Sequence, residues 1–83
     1  MTASTSQAQV PKLPHLPLWR GAAYRLVRAT GDEIPVRLVL ASAMPHPRTH
    51  IFEHLDTFEE YHVKELEPGR FSLDSHEITV HFA

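Results

Sequence analysis

Two tracts of strict alternation constrain this chain more than any other feature. In Ile34–Ala41, the residues Ile34, Val36, Leu38 and Leu40 fall on one side of an extended chain and Arg37 on the other. In residues 77–82, Ile78, Val80 and Phe82 alternate with Glu77, Thr79 and His81 in the same way. A period of two marks a strand with one buried face, so both tracts predict half-buried strands. Each has a companion. Tyr24, Leu26 and Val27 predict a strand over Ala22–Ala29, joined to Ile34 by the turn Thr30-Gly31-Asp32-Glu33. Phe71 and Leu73 predict another, entered through Pro68-Gly69 and left through a turn at Ser75-His76. Pro35 sits near a strand start, where its missing N–H is tolerated at an edge.

Pro45 and Pro47 break the chain before the segment that follows. There Ile51, Phe52, Leu55 and Phe58 share one helical face, which predicts an amphipathic helix over residues 49–60. A strand through Tyr61, Val63 and Leu66 comes next. A second reading puts a strand over residues 50–55 and starts a helix at Thr57, whose spacing to Glu60 fits a capping box. The expected fold class is α+β: an antiparallel sheet of about five strands in two hairpin systems, with one short amphipathic helix across a face. A small all-β, barrel-like fold is the alternative.

Eighty-three residues allow one domain. Residues 22–83 are assigned to it, and residues 1–21 to a polar tail and a Pro-rich extended arm. A folded part of roughly 60 residues buries little apolar surface by itself, so a partner or a second copy would stabilise it. An exposed edge strand is one route to such association.

Residues 1–10 are polar, uncharged and expected to lack order of their own. The arm proper, residues 11–19, reads PKLPHLPLW, with proline at every third position. Polyproline II has that period, and it places Leu13, Leu16 and Trp19 along one edge. Such a ribbon staples onto its own domain or fits a groove on another protein. The first residues hold neither the basic start and apolar stretch of a secretory leader nor the arginine of a transit peptide, so a cytoplasmic location is expected. No apolar run approaches the ~20 residues of a membrane-spanning helix, and no membrane partner is expected. With no cysteine, disulfide frameworks, thiol nucleophiles and cysteine-ligated metals are excluded together.

Net charge is −2, but it is unevenly spread. Residues 1–50 hold Lys12, Arg20, Arg25, Arg28, Arg37 and Arg48 against Asp32 and Glu33, a balance of +4. Residues 51–83 hold Lys64 and Arg70 against eight carboxylates, a balance of −6. Six of the eight (Glu53, Asp56, Glu59, Glu60, Glu65 and Glu67) fall within residues 53–67, interleaved with Phe58 and Tyr61. A negative surface with aromatic anchors suits a basic groove on another protein.

Histidine is unusually frequent, at positions 15, 46, 50, 54, 62, 76 and 81. His50 to His54 spells H-x-x-E-H, and on a helix the two histidines would share a face, which makes them candidate metal ligands. Zinc proteases with that motif need a further ligand and a substrate cleft, and only 29 residues follow His54. No metal or other cofactor is therefore expected. Ser72, Ser75, Asp74 and His76 crowd one hairpin, where neighbours alternate faces and form no triad, and isolated glycines cradle no phosphate. No catalytic residue is assigned.

The function expected is that of a small non-enzymatic interaction module, an inhibitor or accessory subunit. It docks on a larger protein assembly, a nucleic-acid-handling machine being one candidate. The contact residues expected are Leu13, Leu16, Trp19, Glu53, Asp56, Phe58, Glu59, Glu60 and Tyr61. A homodimer is a further possibility. The alternatives are nucleic-acid binding by the basic half, a metal-binding protein, or a small nuclease using Arg25, Arg37, His62 and His81. A pI of 6.4 weighs against affinity drawn from phosphates.

Overall fold

The structure is a computed structural model that describes residues 17–83. Leu13 and Leu16, with the rest of residues 1–16, lie outside the described residues. Six strands follow one another: β1 (Ala23–Arg28), β2 (Glu33–Leu40), β3 (Arg48–His54), β4 (Glu60–Glu67), β5 (Arg70–Leu73) and β6 (His76–Phe82). Each pairs antiparallel with the next, and β6 returns to β1 from Tyr24↔Phe82 to Arg28↔Ile78, which closes a barrel.

Alternation explains the closure. Every strand sends alternate residues inward: Tyr24 and Leu26 from β1, Ile34, Val36 and Leu38 from β2, Phe52 from β3, Val63 from β4. Phe71 and Leu73 from β5 and Ile78 and Val80 from β6 complete the buried core. A sheet with one apolar face must cover it, and a rolled sheet covers that face with itself. The α+β expectation is thus corrected, since the described residues contain no helix and the barrel-like alternative matches the architecture. The expected edge strand is corrected too, because closure pairs both sides of the wall among the described strands.

The expected helix over residues 49–60 fails for a physical reason. Its apolar face needed Ile51 and Phe52 side by side, but β3 sends Phe52 fully inside and leaves Ile51 half-buried on the outer wall. Pairing Phe52 with Tyr61 and His50 with Val63 satisfies the backbone across β3 and β4, which local helical spacing could not reveal. The helix from Thr57 is absent as well. Thr57 lies in the β3–β4 connection, where its hydroxyl accepts the Glu59 N–H at 3.3 Å.

Register irregularities adjust the two longest strands. Between Leu38 and Leu40 a bulge shifts the β2–β3 ladder, so Leu40 is 51% exposed although alternation alone points it inward. Pro35 lies one residue before that ladder begins at Val36↔His54, so its missing N–H interrupts no rung. The turn expected at Ser75-His76 is displaced by one residue. Asp74 and Ser75 take φ of 52° and 67°, the paired positive values of a two-residue type I′ hairpin. Among the described residues no helix is long and apolar enough to cross a membrane.

Candidate functional site

An up-and-down barrel sorts its connections between two ends. The β1–β2, β3–β4 and β5–β6 turns lie at one end. The other end receives the β2–β3 and β4–β5 connections together with residues 17–22.

At the first end, the β3–β4 connection is a tightly bonded tip. The His54 N–H donates to the Glu59 carbonyl at 2.8 Å, and the Phe58 N–H donates back to the His54 carbonyl at 3.0 Å. Inside this loop, the His54 Nδ1 accepts the N–H groups of Asp56 (3.0 Å) and Thr57 (3.3 Å). Phe58 closes the loop at φ 62°, left-handed backbone that costs a bulky L-residue roughly 1–2 kcal/mol. Its ring stays 64% exposed, so no burial of its own offsets that cost. Asp56 and Glu59 flank it, and Glu53 and Glu60 stand directly opposite each other on the outer wall behind it. Like charges in that relation are mildly destabilising. The Tyr61 hydroxyl donates to Glu59 Oε1 at 3.1 Å. Burial raises the Tyr61 pKa, and so do the bond and charge of Glu59, against the opposing pull of Arg28.

The structure therefore gathers Glu53, Asp56, Phe58, Glu59, Glu60 and Tyr61 around one tip. It separates them from Trp19. That ring lies at the opposite end, 62% exposed, 5.7 Å from the ring of Phe82. The fully buried Tyr24 holds the segment there: its hydroxyl donates to the Pro17 carbonyl at 2.9 Å and accepts the Trp19 N–H at 2.7 Å. Trp19 and the acidic flank thus do not form one continuous contact surface on this barrel.

Glu65 leaves the acidic surface altogether. Alternation on β4 turns it inward, 4% exposed, with Val63. One carboxylate oxygen, Oε1, accepts Arg48 Nε at 2.9 Å and His50 Nε2 at 2.8 Å, while Oε2 accepts the Gly69 N–H at 3.3 Å. His46 Nε2 sits 3.4 Å from the same Oε1 but makes no hydrogen bond. Burial pushes the Glu65 pKa up; the bonds from His50, Arg48 and Gly69, with the Arg48 charge, outweigh it and hold the value at about 2.

The same geometry decides the chemistry of His50. Its Nδ1 accepts the Ser42 N–H at 2.9 Å, so the ring proton resides on Nε2 and is donated to Glu65. A nitrogen bearing a proton has no lone pair for a metal. His54, four residues along the same strand, is roughly 13 Å away at the far end, and its own Nδ1 is committed to the loop. Extended backbone thus separates the pair that a helix would have joined. Among the described residues no group of three His, Cys, Asp or Glu side chains is placed to hold a metal ion.

The side chains suggested for nuclease chemistry are spread around the outer wall. Arg25 pairs with Glu33 at 3.2 Å, His62 with Glu60 at 3.2 Å, and His81 with the Thr79 hydroxyl at 2.9 Å. Arg37 stands opposite Glu53. Arg25 and His81 are neighbours across β1 and β6, whereas His62 lies on β4. The buried cluster of Arg48, His50 and Glu65 escapes sequence reasoning. Its one legible sign is the even spacing of Arg48, His50 and Phe52, which places them on one face only if the segment is a strand.

No family model matches the chain, and comparison with curated proteins and with solved structures finds none similar to it.

Proposed function

We propose that this protein is a small non-enzymatic docking module, an inhibitor or accessory subunit. It inserts the β3–β4 tip into an apolar pocket rimmed by lysine and arginine on a larger protein. One observation supports this above others: Phe58, exposed and held in left-handed backbone, shares its loop with Asp56 and Glu59, and the strands that carry the loop pair Glu53 with Glu60. The exposed ring and its left-handed backbone are not favoured by local stability, and a partner would account for them. An aromatic anchor inside a charged rim is also how interfaces concentrate affinity and steer encounter. The buried Glu65 cluster supports binding over turnover, because Arg48 and His50 are both committed to the Glu65 carboxylate and His50 Nδ1 to the Ser42 N–H.

In this reading the module works in the cytoplasm, and its partner presents a basic groove, such as one that otherwise holds nucleic acid. The test is capture from lysate on immobilised wild-type protein, beside Phe58→Gly and the double variant Glu59→Lys/Glu60→Lys. A partner retained by the wild type should elute with rising salt and be lost from both variants. Retention of every captured protein by the variants, or a lone monomer that captures nothing, overturns the reading.

A further inference from the structure

Between the β1–β2 and β5–β6 turns, at the same end of the barrel as the tip, lies a hollow of about 320 Å³. That volume is at the lower end of the range for small-molecule sites. Leu73 and Ile78, 6% and 4% exposed, form its apolar floor. They border it where the β1–β6 ladder ends at Arg28↔Ile78 and the β5–β6 ladder at Leu73↔His76, and Ala29 adds to the apolar lining.

The polar groups of the hollow are unequal in their commitments. Thr30 is bonded to Asp32 at 3.2 Å, and Glu77 faces Arg70 at 3.7 Å. Arg28, Asp74 and His76 line the hollow without a side-chain hydrogen bond or ion pair among the described residues. A fixed cation and a fixed anion thus border one apolar hollow and do not pair with each other. The type I′ turn, with Asp74 at φ 52°, sets the backbone from which that carboxylate stands at the rim.

We propose that this hollow binds a small apolar zwitterion, of which an aliphatic α-amino acid is the simplest example. The ligand carboxylate meets Arg28, with the His76 ring as a second donor. Its ammonium meets Asp74, and its side chain covers Leu73 and Ile78. A simple anion would be opposed by Asp74 and a simple cation by Arg28, whereas a zwitterion satisfies both and displaces water from the floor. The site is distinct from the docking tip and stands or falls without it.

The test is an amide NMR titration of the full chain with L-leucine. Saturable shifts are expected at Ala29, Leu73 and Ile78, with a Kd of ~1 mM or tighter. N-acetylleucine lacks the ammonium and leucinamide the carboxylate, and each should bind about tenfold more weakly. Arg28→Met and Asp74→Asn should each weaken leucine about tenfold, while Asp74→Asn strengthens the weak binding of N-acetylleucine, an anion that the Asp74 carboxylate opposes. Both side chains are exposed, and the dispersion of the amide spectrum verifies the fold of each variant. Linear shifts that never saturate, or equal affinity for all three compounds on the wild type, overturn the proposal.

Discussion

Glu65 is a carboxylate inside a barrel whose other buried side chains, His50 apart, are hydrophobic. It stays charged there because Arg48, His50 and the Gly69 amide donate to it. Breaking such a buried arrangement by removing one partner is costly, on the order of 3–5 kcal/mol, since the other charge is left unpaired. The pKa of about 2 against an ordinary 4.5 fixes the sign of the pH dependence. A carboxylate with a depressed folded-state pKa contributes stability above its unfolded value and loses it as pH falls through the folded one. Stability should therefore decline from about pH 4.5 towards 2, by at most roughly 3 kcal/mol from this group. Following the side-chain carbon resonance of Glu65 with pH checks this directly. A midpoint near that of an exposed glutamate would refute it. Nothing in the run of carboxylates over residues 53–67 sets Glu65 apart from Glu60 or Glu67; only its inward register on β4 does.

Among the elements, hairpins were readable and the middle of the chain was not. The alternation of Ile34, Val36 and Leu38, and of Ile78 and Val80, survives unchanged in β2 and β6 because a half-buried strand imposes its period locally. Residues 48–54 carry His50 and Glu53 among apolar neighbours, so their pattern fits helix and strand alike until β4 is known to lie beside them. The β3–β4 tip makes a prediction at this scale. Phe58→Gly removes an exposed ring and relieves a positive φ, so it should hold or raise stability, by up to about 1 kcal/mol. A urea midpoint at or above that of the wild type, together with lost partner capture, would show that stability has been given up for contact. A lowered midpoint would mean that the ring has a packing role its exposure conceals.

At the scale of the whole molecule, closure makes the fold one cooperative object. Leu26 touches both neighbours through the pairs Leu26↔Ile34 and Leu26↔Val80, so the seam and the first hairpin share a side chain. Leu26→Ala should cost about 2–5 kcal/mol, a large share of what a domain of this size has. The single tryptophan reports on the far end, because Trp19 is tied to Tyr24 and rests on Phe82. Its fluorescence and the far-ultraviolet dichroism should therefore change at the same urea concentration, and Leu26→Ala should move both together. An earlier transition by fluorescence would show that the Pro17–Trp19 segment detaches before the barrel opens.

The strand period of β2 and β6, the approximate place of their turns and the division of charge are written in neighbouring residues, and short-range sterics and burial suffice to make them legible. Whether the apolar face of the sheet meets a helix or its own far side is not local. It depends on β6 returning to β1, and that closure gives the inward-facing residues of each strand, Glu65 among them, an interior to enter. Tertiary pairing thus drew Glu65 inside among Arg48 and His50, parted His50 from His54, and placed Trp19 and Phe58 at opposite ends. The energies involved come from contacts between residues far apart in the chain, which no window along it contains.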